Sequence, residues 1–156
     1  YISENVSLYP HLSGLENIDY FCKLNGKNLP LSELRKLLEK CGLQNEVHHN
    51  RMNTYSKGMR QKVGIAIALA KKAKVYLLDE PASGLDPLAS NELSTLLKNL
   101  SNEGASILMA SHDIFRVRET CNRIGIIKKG ELVKEMQTSD VSTKQLEKIY
   151  IDYIQN

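Results

Sequence analysis

Apolar positions recur along this chain with two different periods, and the change of period organises it. Leu15, Ile18, Phe21 and Cys22 space out a short helix over residues 15–24, entered through the turn-like YPHLSG. Leu34, Leu37, Leu38 and Cys41 share one face of a second helix. The pattern Ser32-Glu33-Leu34-Arg35 predicts its start near Ser32, and Gly42 predicts its stop. After Ser56, the residues Met59, Val63, Ala66, Ile67 and Ala70 mark one face of a longer helix. Residues 74–78 then form a continuous apolar run, the kind of strand buried on both faces of a parallel sheet.

A helix near residues 88–100 leads to a second strand at 105–110. A third strand, 123–127, turns at Gly130 into 131–135. The last helix is predicted from Ser142, where Ser142 and Gln145 can form a capping box. Its apolar stripe is Leu146, Ile149, Tyr150, Tyr153 and Ile154. Strands alternating with helices in the second half predict an α/β fold with a parallel sheet, and the all-helical first half reads as a helical insertion.

Composition narrows the setting. The 156 residues, 42% hydrophobic, can bury one core of ordinary size. A formal charge of +3 neither demands nor excludes nucleic acid or anionic lipid, and Lys71, Lys72 and Lys74 read as a solvated face. The longest apolar run, residues 65–70, is far short of a bilayer span. Glu4 and its polar neighbours stand where a signal peptide would be apolar. Cys22, Cys41 and Cys121 are too scattered for a zinc site or a disulfide framework, so reduced, partly buried thiols of cytosolic type are expected. His48 and His49 lack a carboxylate or cysteine at ligand spacing and are expected to be structural or solvated. The chain opens at Tyr1, without methionine and as if in mid-strand, and is expected to be a fragment.

Three segments carry chemistry. KVYLLDE places Asp79 and Glu80 at the carboxyl edge of the sheet, where α/β folds bind ligands. Asp79 could reach a magnesium ion, and Glu80 could polarise a water for attack on a phosphoryl group. YSKGM opens the long helix: Ser56 can cap it, Gly58 lets backbone approach an anion, and the helix N-terminus offers free N–H groups. SHD follows the second strand, which predicts His112 at the same sheet edge as Glu80, within reach of a terminal phosphate or the attacking water. Each segment alone is ordinary. Their order and spacing are not.

Taken in order, these segments resemble the nucleotide-binding domain of ATP-binding cassette (ABC) proteins over nearly the whole chain. The resemblance implies a RecA-like P-loop NTPase core with a parallel sheet, incomplete for want of the Walker A region, plus an α-helical subdomain. It puts the helical subdomain at about 9–72 and the C-terminal part of the core at 73–156. By likeness, YSKGM is the signature, bringing Ser56, Lys57, Gly58 and Met59 to the nucleotide. VYLLDE is Walker B, with Asp79 on the metal and Glu80 catalytic. ASGLD is the D-loop with Ser83 and Asp86, and His112 is the switch histidine. Glu4 stands at the position of the Q-loop glutamine, which links the metal and water site to a transmembrane partner. ATP and Mg2+ are the implied cofactors.

Two residues depart from that pattern. Lys57 replaces the first of two glycines, and its side chain is expected to point outward and be tolerated. Glu4 in place of glutamine keeps an oxygen for a cation but adds a charge and removes a donor. The Walker A pattern G-x-x-x-x-G-K-[ST] is not among these residues, since Gly26-Lys27 is followed by Asn28 and preceded by Phe21 at the first glycine position. In the family that loop precedes the Q-loop, so the chain as given is expected to bind ATP weakly or not at all. The resemblance further implies a head-to-tail pair of cassettes, in which Ser56 and Gly58 close over ATP held by the other. It also implies a separate transmembrane permease, a place on the cytoplasmic face of the membrane, and no nucleic-acid partner. The motif variants look most like the exporter branch. A soluble cassette acting on ribosomes or DNA and a noncatalytic association domain are the alternatives.

Overall fold

A computed structural model describes residues 1–155, with side chains described through Tyr153, and the chain falls into two compact units, Tyr1–Ala110 and a second from Ser111 onward. The first holds α1 (Gly14–Leu24), α2 (Leu31–Lys40), α3 (Lys57–Ala70), β1 (Val75–Asp79), α4 (Pro87–Asn102) and β2 (Ser106–Ala110). Helix α1 starts where Ser13 and Glu16 cap reciprocally: Ser13 Oγ accepts from Glu16 N at 3.1 Å, and Glu16 Oε2 accepts from Ser13 N at 2.7 Å. The bonds donated by Ser13 hold the Glu16 carboxyl below its ordinary range. Helix α2 corrects the expected start. It begins at Leu31 behind Pro30, with no side-chain cap, because the proline's fixed φ sets the entry that the sequence pattern assigns to Ser32. Its end is as expected: Gly42 takes φ +77°, and Leu43 N donates to Leu38 O at 3.0 Å.

Helix α3 differs from a one-faced amphipathic helix. Gly58 and every residue from Gln61 to Ile67 are buried, as is Ala70. Helices α1, α2 and α4 all pack on it, and the segment before α1 covers a further side. A Cβ on Gly64 would lie 3.1 Å from Val6 Cγ1, so that approach requires glycine or a shift of Val6. Polar side chains on such a helix must find partners, because burying them unpaired costs several kcal/mol.

Strands β1 and β2 pair in parallel from Val75 opposite Ser106 to Asp79 opposite Ala110, and Ile2 bridges Leu78 on the other edge of β1. Tyr76 and Leu78 are buried against the helices, whereas Val75, Leu77 and Leu108 are 60%, 43% and 69% exposed. The expectation of a strand buried on both faces is therefore corrected. Strand alternation turns only every second residue toward the helices, and among the described residues of this unit nothing covers the opposite face.

The second unit contains α5 (Ile114–Thr120), β3 (Arg123–Lys128), β4 (Glu131–Gln137) and α6 (Thr143–Gln155). Strands β3 and β4 form an antiparallel hairpin with a bulge between Ile126 and Ile127. Its turn residues Lys129 and Gly130 take φ of +52° and +83°, the paired left-handed geometry that twists with a hairpin. The third predicted strand thus pairs with its own return through Gly130, as the sequence indicates. Helix α6 has the predicted capping box, with Ser142 N donating to Gln145 Oε1 at 2.8 Å and Gln145 N to Ser142 Oγ at 3.3 Å. Leu146 of its stripe is buried and Ile149, Tyr150 and Tyr153 are half-buried, while Ile154 lies outside the described side chains. No helix of the described residues is long and apolar enough to cross a membrane.

Two measurements check this packing. Asn17 is fully buried, accepts from Tyr9 N at 2.8 Å and donates to Ser13 O at 2.9 Å and Tyr9 O at 3.1 Å. Replacing Asn17 with Ala should cost about 1–3 kcal/mol in urea unfolding, because the loop's buried backbone groups lose their partner. All three cysteines are free thiols whose pKa burial raises, that of Cys41 to about 12. At pH 8 iodoacetamide should therefore leave Cys41 unmodified in the folded protein and label it after unfolding.

Candidate functional site

The site is built where β1 leaves the sheet. Asp79 is the last strand residue, opposite Ala110, and Glu80 follows with φ +42°. Glu80 N donates to Ala110 O at 2.9 Å, and Glu80 O accepts from Ser83 N at 3.1 Å. These two bonds hold a left-handed residue that costs on the order of 1–3 kcal/mol and takes the chain out of strand alternation at its second carboxylate. Asp79 and Glu80 are both half-buried. The Tyr1 hydroxyl donates to Asp79 Oδ2 at 3.1 Å, a bond that raises the phenol's pKa.

The turn after Glu80 runs through Ser83 and Gly84 to Asp86, whose Oδ1 accepts from Ala89 N at 2.9 Å. Asp86 is therefore the N-cap of α4, with Pro87 at the first helical position. Helix α3 also opens on a side-chain cap, for Ser56 is exposed and its Oγ accepts from Met59 N at 3.2 Å. Met59 is half-buried. Gly58 is buried, and a Cβ there would lie 3.3 Å from Ala89 Cβ and 3.5 Å from Leu85 Cδ2. The glycine thus lets the first turns of α3 and α4 pack together, a role beyond the anion approach expected from sequence.

Lys57 corrects another expectation. Its side chain does not project freely: Nζ donates to Glu4 Oε1 at 3.0 Å, and Ser83 Oγ donates to the same oxygen at 2.8 Å. The stem passes over Gly84, where a Cβ would lie 3.7 Å from both Cδ and Nζ of Lys57. Opposite charge explains the fold-back, since a cation at a helix N-terminus is unfavourable without a counter-charge. Gln61, not singled out from sequence, fixes the segment that carries Glu4: its Nε2 donates to Glu4 O at 2.9 Å and Ser3 O at 3.3 Å. Its only sequence signal is a lone amide in a helix whose other polar residues are the cations Lys57, Arg60 and Lys62.

The structure therefore brings Glu4, Lys57 and Ser83 together, sets Asp79 and Glu80 side by side at the end of β1, and places Ser56 and Gly58 at the start of α3. His112 belongs to the second unit, where it is exposed and precedes Asp113, the N-cap of α5. Among the described residues no group of three or more His, Cys, Asp or Glu side chains is assembled that could hold a metal ion. A hard cation at Asp79 would have to take most of its oxygens from phosphate and water, as magnesium commonly does.

Comparison with known proteins decides the family. The family model described as ABC transporter matches residues 1–83. The chain belongs to the ABC transporter family. This cassette is 37% identical over 147 residues to the uncharacterized ABC transporter ATP-binding protein YdbJ of Bacillus subtilis, a match covering 92% of this chain and 47% of that protein. It is 36% identical to the bacitracin transport ATP-binding protein BcrA of Enterococcus faecalis, covering 90% of this chain and 45% of that one. With the lantibiotic transport ATP-binding protein SrtF of Streptococcus pyogenes it shares 32% identity, over 98% of this chain and 65% of the relative. The cassette spans about half the length of the first relatives it matches. Among solved structures, the ADP- and Pi-bound dimer of the ATP-binding cassette MJ0796 superposes with a TM-score of 0.71 at 28% identity, over 85% of this chain and 59% of that one. The structure of cbiO1 from Clostridium perfringens, at 23% identity and a TM-score of 0.78 over 97% and 62% of the two chains, shares the fold. That fold is the α/β, RecA-like cassette with its parallel sheet and helices.

The cap at the start of α3 gives a direct test. Ser56→Ala should lower the protein's unfolding free energy by about 1 kcal/mol in the absence of any nucleotide. Denaturant melts of the two proteins at equal concentration will show it.

Proposed function

We propose that the complete protein is the ATP-hydrolysing subunit of an ABC exporter whose permease is a separate transmembrane chain. The observation that carries this reading is the Asp79-Glu80 pair at the carboxyl end of β1, tied through Ser83 and Glu4 to the first turn of α3. Phosphoryl transfer asks for carboxylates at such a sheet edge. Glu80 would orient the attacking water and accept its proton. His112 would hydrogen-bond the transferred phosphoryl group. Asp79 would hold Mg2+; Glu4, the second oxygen donor expected from the Q-loop position, has its Oε1 bonded by Lys57 and Ser83 and would act as a positioning residue. The ion supplies charge neutralisation at the phosphates when bound.

Ser56, Gly58 and Met59 would face the nucleotide held by a second cassette in a head-to-tail pair, with Lys57 beside them turned to Glu4. Ser83 and Asp86 would lie at the interface of that pair. In this reading 9–72, which contains helices and no strand, is the helical subdomain, and 73–156 belongs to the core. The phosphate cradle that ATP requires is not among these 156 residues, so the chain as given would bind ATP weakly or not at all and be inactive alone. Its place would be the cytoplasmic face of the membrane, through the permease. Relatives named for bacitracin and lantibiotic transport support an exported substrate of that kind.

Glu80→Gln in the full-length protein with its permease tests the reading. ATP hydrolysis should fall by at least about a hundred-fold, the lower range for loss of a general base. ATP-dependent dimerisation, followed by size-exclusion chromatography, should persist. Hydrolysis at the parent rate, or loss of nucleotide binding, would mean that Glu80 has another role.

A further inference from the structure

Glu4 and Lys57, the two residues that depart from the family's motif pattern, meet each other. Lys57 Nζ and Ser83 Oγ converge on one oxygen, Oε1 of Glu4, at 3.0 and 2.8 Å, from positions 53 and 79 residues away in sequence. The Lys57 side chain is 25% exposed and that of Glu4 42%, so water screens the pair only in part. Lys57 is the first residue of α3, where the helix dipole disfavours a cation and favours a carboxylate. Glu4 therefore acts twice, neutralising the ammonium and facing the positive helix end. The backbone behind Glu4 is held by Gln61 Nε2 at 2.9 Å, so the carboxylate is delivered by a fixed segment rather than a loose one.

We propose that Glu4 and Lys57 are one positioning unit, with Ser83 as its third member, and that Glu4 sets the geometry of the α3 N-terminus through Lys57. The carboxylate draws the ammonium over Gly84. It also fastens the turn that follows Glu80 to the same point. Any displacement of the segment around Glu4 then reaches both turns through a single oxygen. This inference rests on the ATPase reading above, in which the α3 N-terminus meets nucleotide.

The test is a double-mutant cycle in the full-length protein with its permease, comparing Glu4→Gln, Lys57→Met and the double variant, with Glu4→Lys/Lys57→Glu as the swapped pair. Glu4→Gln alone should raise KM for ATP roughly two- to five-fold with kcat nearly unchanged, the size expected of a partly exposed ion pair. The double variant and the swapped pair should return to within about two-fold of the parent KM, because neither leaves a lone charge at the helix end. Effects that simply multiply in the double variant, or a Glu4→Gln KM equal to the parent's, would overturn the proposal. So would equal losses in kcat and thermal stability with KM unmoved, which is what a merely structural contact gives. If a variant fails to fold, the Lys57 ammonium resonance of the parent protein decides: slowed proton exchange relative to the other lysines is expected, and exchange like theirs overturns the pair. Glu80→Gln in the same assay separates the two claims. Hydrolysis lost there with an additive cycle removes only the positioning unit, hydrolysis retained there removes only the role of Glu80, and a parent protein that does not hydrolyse ATP removes the ATPase reading and leaves the pair to be judged by the resonance.

Discussion

A helix buried on nearly every side has to find partners for its polar side chains, and α3 finds them for several while leaving Gln61 Oε1 buried without one among the described residues. That constraint organises the first unit. Lys57 reaches Glu4, and Gln61 reaches the backbone of Ser3 and Glu4. Lys62, only 8% exposed, donates to Gly42 O at 3.2 Å and pairs with Glu92 of α4. At the other end Lys27 Nζ donates to Ala70 O at 2.9 Å, satisfying a carbonyl that the last turn leaves open. Together these bonds fix four neighbours: the segment before α1, the end of α2, the flank of α4 and the loop after α1. The core supplies most of the cohesion, but these bonds decide where the segments bearing the candidate site are held.

Electrostatics at the site follow from the same packing. Gly58 brings the first turns of α3 and α4 into contact, so two positive helix ends share one corner. Carboxylates answer both: Asp86 caps α4 directly, and Glu4 reaches the α3 end through Lys57. The left-handed Glu80 and the turn closed by Ser83 bring the strand's carboxylates into that corner of the unit without breaking the bond to Ala110. The local conformational cost is met by hydrogen bonds on both sides of one residue.

Features encoded by neighbours in the chain are legible in its sequence. The caps at Ser56 and at Ser142 with Gln145, the stop at Gly42, and the strand that ends in Asp79 all depend on residues within about four positions of each other, the reach of one helical turn or one short strand. The start of α2 is not legible, because a serine-based pattern competes with a proline that needs no side-chain bond. Helix α5 has seven residues, too few for a period to declare itself. The return of the third strand on itself, by contrast, is legible in the Gly130 turn that the hairpin uses. The contact between Glu4 and Lys57 bridges 53 residues, and in sequence the two stand as separate departures from a motif pattern. No local pattern encodes it.

The uncovered side of the two-stranded sheet has a practical consequence. Val75, Leu77 and Leu108 line up across paired strands as a dry-loving strip in contact with solvent. Kosmotropic salts and warming within the ordinary range strengthen the tendency of such a strip to leave water. Preparations of this segment by itself would thus be governed by colloidal behaviour before any chemistry is observed. Low protein concentration and modest ionic strength suit it better than sulfate-rich solutions.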